Sequence, residues 1–148
     1  MSLTDKQIQL VEDSFEAVKP IATQAAAMFY KRLFDTEPAV RALFKSSDME
    51  AQGQKLMQAL TLAVGSLRKT EALIPVLKRM GAAHAGYGVK SFDYDSVGAA
   101  LLWTLGQGLG PAFTTEVEEA WAATYGIVAS VMQAGAAEGA ATSASAPN

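Results

Sequence analysis

Residues 80–94 of the chain read M-G-A-A-H-A-G-Y-G-V-K-S-F-D-Y, and they contain His84, the only histidine among 148 residues. The chain contains no cysteine. His84 is therefore the only strong nitrogen or sulfur ligand that the protein can offer to a metal or to a metal-bearing cofactor. Residues 73–83 have the pattern of a short helix, and Gly86 and Gly88 favour a turn out of it. A histidine in the last turn of a helix, followed by a bend, is well placed to hold a planar, apolar group.

The composition indicates one soluble domain. Half of the 148 residues are hydrophobic and are interspersed with charge, which suffices for one domain with a real core. The net charge of −3 includes no block of like charges, so a nucleic-acid partner is not expected. The amino terminus lacks the pattern of a signal peptide, and no apolar stretch reaches the roughly 18 residues of a membrane span. Because the absence of cysteine also fits a reducing compartment, we expect a cytoplasmic protein without a membrane partner.

Capping signals and helical spacing predict an all-α fold. Thr4 and Gln7 have the spacing of a capping box, which predicts a first helix from the next residue onward. A second helix is expected over 21–34, and Pro38 suits the first turn of a short third helix that ends near Phe44. The buried face of the first helix is expected to consist of Ile8, Val11, Ser14, Phe15 and Val18.

The middle of the chain is predicted to form two longer helices. Ser47 and Glu50 have the spacing of a second capping box, which opens a helix over 48–68. The helix that carries the histidine is expected over 70–85, with Pro75 tolerable only near its start. Spacings of three and four residues predict a buried stripe on the first of these helices, formed by Gln52, Leu56, Leu60, Ala63 and Leu67.

The last part of the chain carries two more helix-start signals and a tail. Asp93 is the expected cap of a further helix, and Thr115 with Glu118 forms a third capping box before the last helix. Residues 135–148 are rich in Ala, Gly and Ser and poor in bulky residues, so we expect them to be a disordered tail. The predicted organisation is one domain over 1–134, with seven helices and no internal repeat.

Three stretches in this order and spacing resemble the globin family. They are F-Y-K-R-L-F-D-T-E-P-A-V-R-A-L-F (Phe29 to Phe44), the histidine-to-tyrosine stretch at 80–94, and A-W-A-A-T-Y-G (Ala120 to Gly126). The resemblance covers about 3–132 and is strongest to bacterial single-domain haemoglobins and to the haem domain of flavohaemoglobins, while G-P-A-F-T is similar to neuroglobin. It implies a three-over-three helical sandwich that encloses haem b.

The resemblance also implies a role for individual residues. His84 would be the proximal iron ligand, while Tyr30 and Gln52 would lie on the distal side as donors to a bound gas. Leu56 would close over the iron, and Phe44 would pack against the haem face. Ala26 and Gly53 match small positions where two helices cross closely. The remaining expected haem contacts are Lys55 at a propionate, Met80 behind the histidine, and Val89, Tyr94, Val97 and Tyr125 on the proximal side or the haem edge.

The same residues have plainer interpretations when they are taken without the resemblance. A histidine at a helix end is more often a capping or hydrogen-bonded group than a ligand. Tyr30 can be a core tyrosine, and Gln52 can be an exposed amide at a helix start. If His84 is a ligand, its second ring nitrogen needs an acceptor that orients the ring, and the carbonyl of Met80 one turn back is the natural partner.

Two features differ from the patterns of these globin families. The chain has one histidine and no cysteine, so a second histidine of the same chain cannot ligate the iron, as one does in neuroglobin. We therefore expect a five-coordinate ferrous form. The glutamate that flavohaemoglobins couple to the proximal histidine is replaced by Ala136, and Glu138 lies two residues away. The chain ends where a flavohaemoglobin would begin its reductase domain, so any reductase is expected to be separate.

Several functions stay open at this point. The leading interpretation is reversible binding of dioxygen, with carbon monoxide and nitric oxide as further small ligands. An enzymatic alternative is nitric oxide dioxygenation supported by a separate reductase. A haem-based gas sensor is a third possibility, and a haem-free helical domain that binds a protein partner is a fourth.

Overall fold

The structure is a computed structural model that describes residues 3–44, 48–86 and 91–145. Within these ranges it consists of helices and turns and contains no strand, which confirms the all-α prediction. The α-helices are α1 (Asp5–Val18), α2 (Ala22–Thr36), α3 (Pro38–Arg41), α4 (Met49–Gly65), α5 (Thr70–Gly86), α6 (Ser91–Leu109) and α7 (Thr115–Ser145). Short 3-10 turns cover Lys19–Ile21, Ala42–Phe44 and Gly110–Ala112.

Helix packing brings distant parts of the chain together. The last helix, α7, packs along α5 and also contacts α1 and α6, while α2 contacts both α4 and α6. The expected face of α1 is buried at Ile8, Val11, Phe15 and Val18. Trp121 of α7 is 1 % exposed, and its indole N–H donates to the Ser14 hydroxyl at 2.8 Å. The polar end of this large core residue is therefore satisfied inside the fold.

The first predicted capping box is confirmed. The Thr4 hydroxyl accepts from the Gln7 amide at 3.1 Å, and the Gln7 side chain accepts from the Thr4 amide at 3.0 Å. The start of α4 is capped by Asp48, whose carboxylate accepts from the amides of Glu50 at 3.0 Å and Ala51 at 3.3 Å. Ser47, the expected cap, lies outside the described residues.

The two later start signals are displaced from the observed helix ends. Asp93 was expected as a cap, but α6 begins at Ser91, so Asp93 lies within the first turn and is 6 % exposed. An acidic residue there is still favoured by the helix dipole, which explains the misleading signal. The cap of α7 is Thr114 rather than Thr115, because the Thr114 hydroxyl accepts from the Val117 amide at 3.2 Å. Of two adjacent threonines, the one that reaches an unpaired amide becomes the cap.

The boundaries of α4 and α5 also differ slightly from prediction. Helix α4 ends at Gly65 instead of Arg68, and Leu67 is buried from the turn that follows. Helix α5 begins at residue 70 as predicted, and Pro75 is its sixth residue, inside the helix. The missing N–H of a proline weakens a helix at that point, so the position of α5 depends more on its packing.

Helix α7 continues past the predicted domain boundary at residue 134. It runs through Ser145, and Gly135 is buried against the backbone of Lys78 in α5. The alanine-rich composition that indicated a tail is also favourable for a helix. The division of the chain at this boundary stays a prediction. Among the described residues, no helix is both long enough and apolar enough to cross a membrane.

Candidate functional site

His84 lies near the end of α5, and its imidazole is half-buried. Its Nδ1 lies 2.6 Å from the carbonyl oxygen of Met80, which confirms the predicted partner. A carbonyl oxygen can only accept, so Nδ1 is the nitrogen that donates the proton. In a neutral ring the lone pair is then on Nε2, which is the nitrogen that can ligate a metal. This backbone contact fixes both the tautomer and the ring orientation.

The described residues do not offer a site for a free metal ion. No group of three or more histidine, cysteine, aspartate or glutamate side chains within them is close enough to hold one. A single imidazole fits a different kind of metal group, in which a macrocycle supplies the other ligands. The donor that His84 offers, one imidazole oriented by the Met80 carbonyl, fits a haem iron.

Tyr30 of α2 and Gln52 of α4 come together where these two helices pack against each other. Burial raises the pKa of the Tyr30 phenol, and a hydrogen bond with the Gln52 side chain partly opposes that rise. Tyr30 is only 8 % exposed. The phenol therefore keeps its proton at neutral pH and can act as a hydrogen-bond donor. The structure thus places the two residues predicted as a distal pair in contact with each other.

The contact between this pair depends on a close approach of two helices. A Cβ built on Gly53 of α4 would lie 3.1 Å from the Cβ of Ala26 of α2. This confirms Ala26 and Gly53 as the small residues at a helix crossing. Because Gly53 directly follows Gln52, the crossing brings the amide within reach of the phenol.

Phe44 belongs to an aromatic cluster around Tyr30. The ring centroids of Tyr30 and Phe44 are 5.5 Å apart in an edge-to-face arrangement, and Phe34 lies 5.6 Å from Phe44. Such pairs hold aromatic rings in defined orientations. The cluster limits the positions that the Tyr30 side chain can take.

Two cavities border these residues. Leu56 borders an apolar cavity of about 20 Å³ between α2, α4 and α6, together with Phe29 and Leu101. A wider groove of about 1340 Å³ lies between α2, α3 and α4 and is lined by Tyr30, among others, but not by His84. The larger of the two is therefore not the site of the imidazole.

Tyr94 and Tyr125 meet where α6 passes α7. The Tyr125 hydroxyl donates to the backbone carbonyl of Tyr94 at 2.6 Å. Burial raises the pKa of Tyr125, and the nearby Tyr94 and Asp95 add to the rise. Burial also raises the pKa of Tyr94. Val97, one helical turn after Tyr94, is half-buried against the core.

Gly98 makes this arrangement possible and is not among the predicted site residues. A Cβ at Gly98 would lie 2.7 Å from the ring of Tyr125. A glycine inside a helix costs helix stability, so its presence there was a signal of a close approach. The ring that occupies the space could be identified only from the tertiary structure.

The remaining residues of the sequence predictions are Lys55, Gly88, Val89 and Glu138. Lys55 is exposed on α4, and Val89 and Gly88 lie outside the described residues. Glu138 pairs with Lys78 at 3.2 Å on the surface. Its carboxylate therefore interacts with a lysine of α5, the helix that also carries His84.

Known proteins share the sequence pattern and the fold of this chain. The sequence profile of the globin family matches residues 27–132 of the chain. The chain is a globin. This globin is 30 % identical to neuroglobin of Danio rerio over 146 residues, which covers 90 % of the chain and 92 % of that neuroglobin.

The bacterial flavohemoproteins that this globin matches are longer than it. A flavohemoprotein of Rhizobium meliloti is 32 % identical over 130 residues, which is 84 % of this chain but 32 % of that protein. A flavohemoprotein of Bacillus subtilis is 27 % identical over 129 residues and is likewise covered to 32 %. The globin therefore spans about a third of the length of these flavohemoproteins.

Solved structures of bacterial proteins share the fold over nearly the whole chain. An engineered carbene transferase of Rhodothermus marinus, named as a candidate nitric oxide dioxygenase, has a TM-score of 0.86 at 29 % identity and covers 97 % of this globin and 99 % of that chain. A bacterial globin of Campylobacter jejuni has a TM-score of 0.80 at 25 % identity, covering 91 % of this globin and 97 % of that chain. The expected three-over-three globin fold is thereby confirmed, and family membership supports haem binding.

Proposed function

We propose that this globin holds haem b through His84 and reversibly binds dioxygen, or another diatomic gas such as carbon monoxide, at a five-coordinate ferrous iron. The observation that carries the proposal is the contact of His84 Nδ1 with the Met80 carbonyl at 2.6 Å. It leaves Nε2 as the ligating nitrogen of the one histidine in the chain. Haem, when bound, supplies the iron at which the gas binds.

The chain's contribution on the other side is hydrogen bonding to the gas. Tyr30 is a buried phenol that keeps its proton, and Gln52 is an amide in contact with it. Dioxygen gains negative charge when it binds ferrous iron, so a donor aimed at it forms a charge-assisted bond. Each bond of this kind is worth about 1.5–3 kcal/mol, which slows release by about 10- to 100-fold.

The remaining residues are proposed to enclose the cofactor. Phe44, already fixed against Tyr30, and Leu56 would pack against the haem on the gas side. Tyr94 and Tyr125 would border the side of the histidine, where the Tyr125 hydroxyl is held by the backbone carbonyl of Tyr94. Lys55, Val97 and Val89 complete the proposed contacts.

The test is haem uptake followed by gas binding. The purified protein, titrated with haemin and reduced under nitrogen, should take up one haem per chain and give a deoxy spectrum. Addition of dioxygen or carbon monoxide should change that spectrum reversibly. A protein that takes up no added haemin would contradict the proposal and favour the haem-free interpretation. A ferrous form whose spectrum does not change with either gas would also contradict the proposal.

A second candidate function is nitric oxide dioxygenation with an external reductase. It is favoured by the similarity to flavohemoproteins and to the Rhodothermus marinus protein, and by the paired donors Tyr30 and Gln52. In that reaction dioxygen and nitric oxide would combine to give nitrate, and the haem would need one electron per turnover from a separate reductase. Nitrate formed per haem should rise above one only when a reductase is present. A yield unchanged by the reductase would restrict the protein to gas binding.

A further inference from the structure

Helices α5 and α7 touch through their backbones at two glycines. A Cβ built on Gly81 of α5 would overlap the carbonyl group of Met132 in α7. A Cβ on Gly135 of α7 would overlap the backbone of Lys78 in α5. Because Gly81 meets residue 132 and Lys78 meets residue 135, the two helices run antiparallel at this crossing. Both glycines are buried.

This crossing includes the helical turn that orients the histidine. Gly81 directly follows Met80, whose carbonyl oxygen accepts from His84 Nδ1. Residues three apart lie on neighbouring positions of one helix face, so Gly81 and His84 are neighbours along α5. The contact with α7 therefore acts on the same turn that holds the imidazole.

We propose that Gly81 is a positioning residue for the iron ligand, because it sets the distance of the His84-bearing turn from α7. The inference rests on the proposed haem ligation by His84. Where side chains separate two helices, they can repack and shift the helix axis. At a backbone-to-backbone contact no side chains lie between the two helices, so the position of α5 relative to α7 is fixed there.

Gly126 shows that a glycine in these helices does not by itself imply this role. It lies in the same α7, yet a Cβ built on it would have open space around it. Gly126→Ala is therefore a matched control for Gly81→Ala. Both variants replace a helical glycine by alanine, but only Gly81→Ala forces α5 away from α7.

The experiment is resonance Raman spectroscopy of the deoxy ferrous protein, loaded with one haem per chain. We expect the iron–imidazole stretching band to shift in Gly81→Ala and to stay in place in Gly126→Ala. Transfer of haem to an acceptor apoprotein should be about 10- to 100-fold faster in Gly81→Ala, the range found when groups that orient a metal-bound histidine are disturbed. An unmoved band in Gly81→Ala would overturn the proposal, as would an equal shift in the control.

A second pair of variants separates positioning from a general loss of structure. In His84→Gly, free imidazole can replace the side chain, and it is not tethered to α5. The iron–imidazole band of His84→Gly with imidazole should then be the same with or without Gly81→Ala. A band that still moves with Gly81→Ala would show that the substitution acts on the pocket and would overturn the positioning role.

If Gly81→Ala does not fold, Gly135→Ala provides the displacement instead. The added methyl group displaces α5 at Lys78, which lies six residues before His84. The iron–imidazole band should therefore shift in the same direction as in Gly81→Ala, but by a smaller amount. An unmoved band in a folded Gly135→Ala would overturn the proposal.

The failure of the proposed function would look different. In that case the wild-type protein itself would bind no haem or give no iron–imidazole band. Gly81 would then be tested in the haem-free protein by nitrogen-15 NMR of the His84 ring, whose Nδ1–H resonance should move in Gly81→Ala and not in Gly126→Ala. An unmoved resonance would reject the role of Gly81 as well.

Discussion

The chemistry assigned to the single histidine depends on one hydrogen bond. Nδ1 of His84 lies 2.6 Å from a carbonyl of its own helix, so the helix decides which nitrogen can ligate. The phenol of Tyr30 depends in the same way on its surroundings, because burial raises its pKa and preserves its proton. The Met80 carbonyl thus selects the tautomer of His84, and burial preserves the proton of Tyr30.

Replacement of His84 by alanine should abolish stable haem binding. His84→Ala removes the one imidazole of the chain, and no cysteine can take its place. Haem uptake should fail or require added imidazole, as measured by absorbance titration. Circular dichroism should show an unchanged helix content, since the lost side chain is only half-buried. Retention of haem at wild-type strength without imidazole would rule out His84 as the ligand.

Replacement of Tyr30 by phenylalanine should speed the release of dioxygen. The variant keeps the ring and its packing against Phe44 but loses the donor. We expect an off-rate about 10- to 100-fold higher, the kinetic equivalent of a lost bond of about 1.5–3 kcal/mol. Stopped-flow release into a scavenger measures it. Tyr125→Phe is the control, because that hydroxyl bonds the Tyr94 carbonyl instead. Equal off-rates in wild type and Tyr30→Phe would remove Tyr30 from the distal role.

At the scale of the helices, glycines set which side chains can meet. Gly53 lets α4 approach Ala26 of α2, and Gly98 lets α6 approach the ring of Tyr125. Each glycine costs its own helix about 0.5–1 kcal/mol relative to alanine, and close packing offsets that cost. The functional contacts are therefore consequences of helix spacing.

Substitution of Gly53 by alanine should loosen the distal pair. The added methyl would lie 3.1 Å from the Ala26 Cβ, so α4 must move outward by a few tenths of an ångström. We expect a lower melting temperature and a faster release of dioxygen, because Gln52 moves away from Tyr30. Gly65→Ala in the same helix is the control, since a Cβ there meets nothing within 4 Å. If both variants release dioxygen at the wild-type rate, the distance between α2 and α4 at Gly53 does not control the contact of Tyr30 with Gln52.

For the whole molecule, the number of histidines limits the coordination of the iron. One imidazole per chain cannot ligate both sides of the haem. The deoxy ferrous protein should be five-coordinate, and its absorbance spectrum should not change on dilution. A bis-imidazole spectrum in the isolated monomer would contradict this, whereas one that disappears on dilution would indicate ligation between two chains.

Buried tyrosines should make the globin unstable in alkali. The pKa of Tyr125 is raised in the fold, so above pH about 10 an unfolded tyrosine loses its proton while the folded one keeps it. The folded state then binds more protons than the unfolded state, and stability falls with rising pH. The contribution of Tyr125 is present in full below pH about 10 and declines above it by up to about 1.4 kcal/mol per pH unit.

Urea unfolding at a series of pH values from neutral to alkaline measures this decline. Tyr125→Phe should lose some stability at neutral pH, about 1 kcal/mol for the missing hydrogen bond, and should show a shallower alkaline decline. The same slope in the variant and the wild type would mean that another group controls the transition.

Local signals in the chain predicted the helices, the first capping box and the buried face of α1, because these depend on residues three or four apart. They were less accurate where neighbouring polar residues compete, as at Thr114 and Thr115, and where Asp93 lies inside a helix instead of capping it. The bond of His84 to Met80 was also predictable, since one helical turn brings the two together.

Composition alone determines that this globin can offer one imidazole and no thiolate, because counting residues needs no coordinates. The meeting of Tyr30 with Gln52, of Tyr125 with Tyr94, and of Gly81 with Met132 was decided by the packing of whole helices. Each of these contacts joins residues that are distant along the chain. Their distances follow from how closely two helices approach, and that spacing depends on every side chain between them.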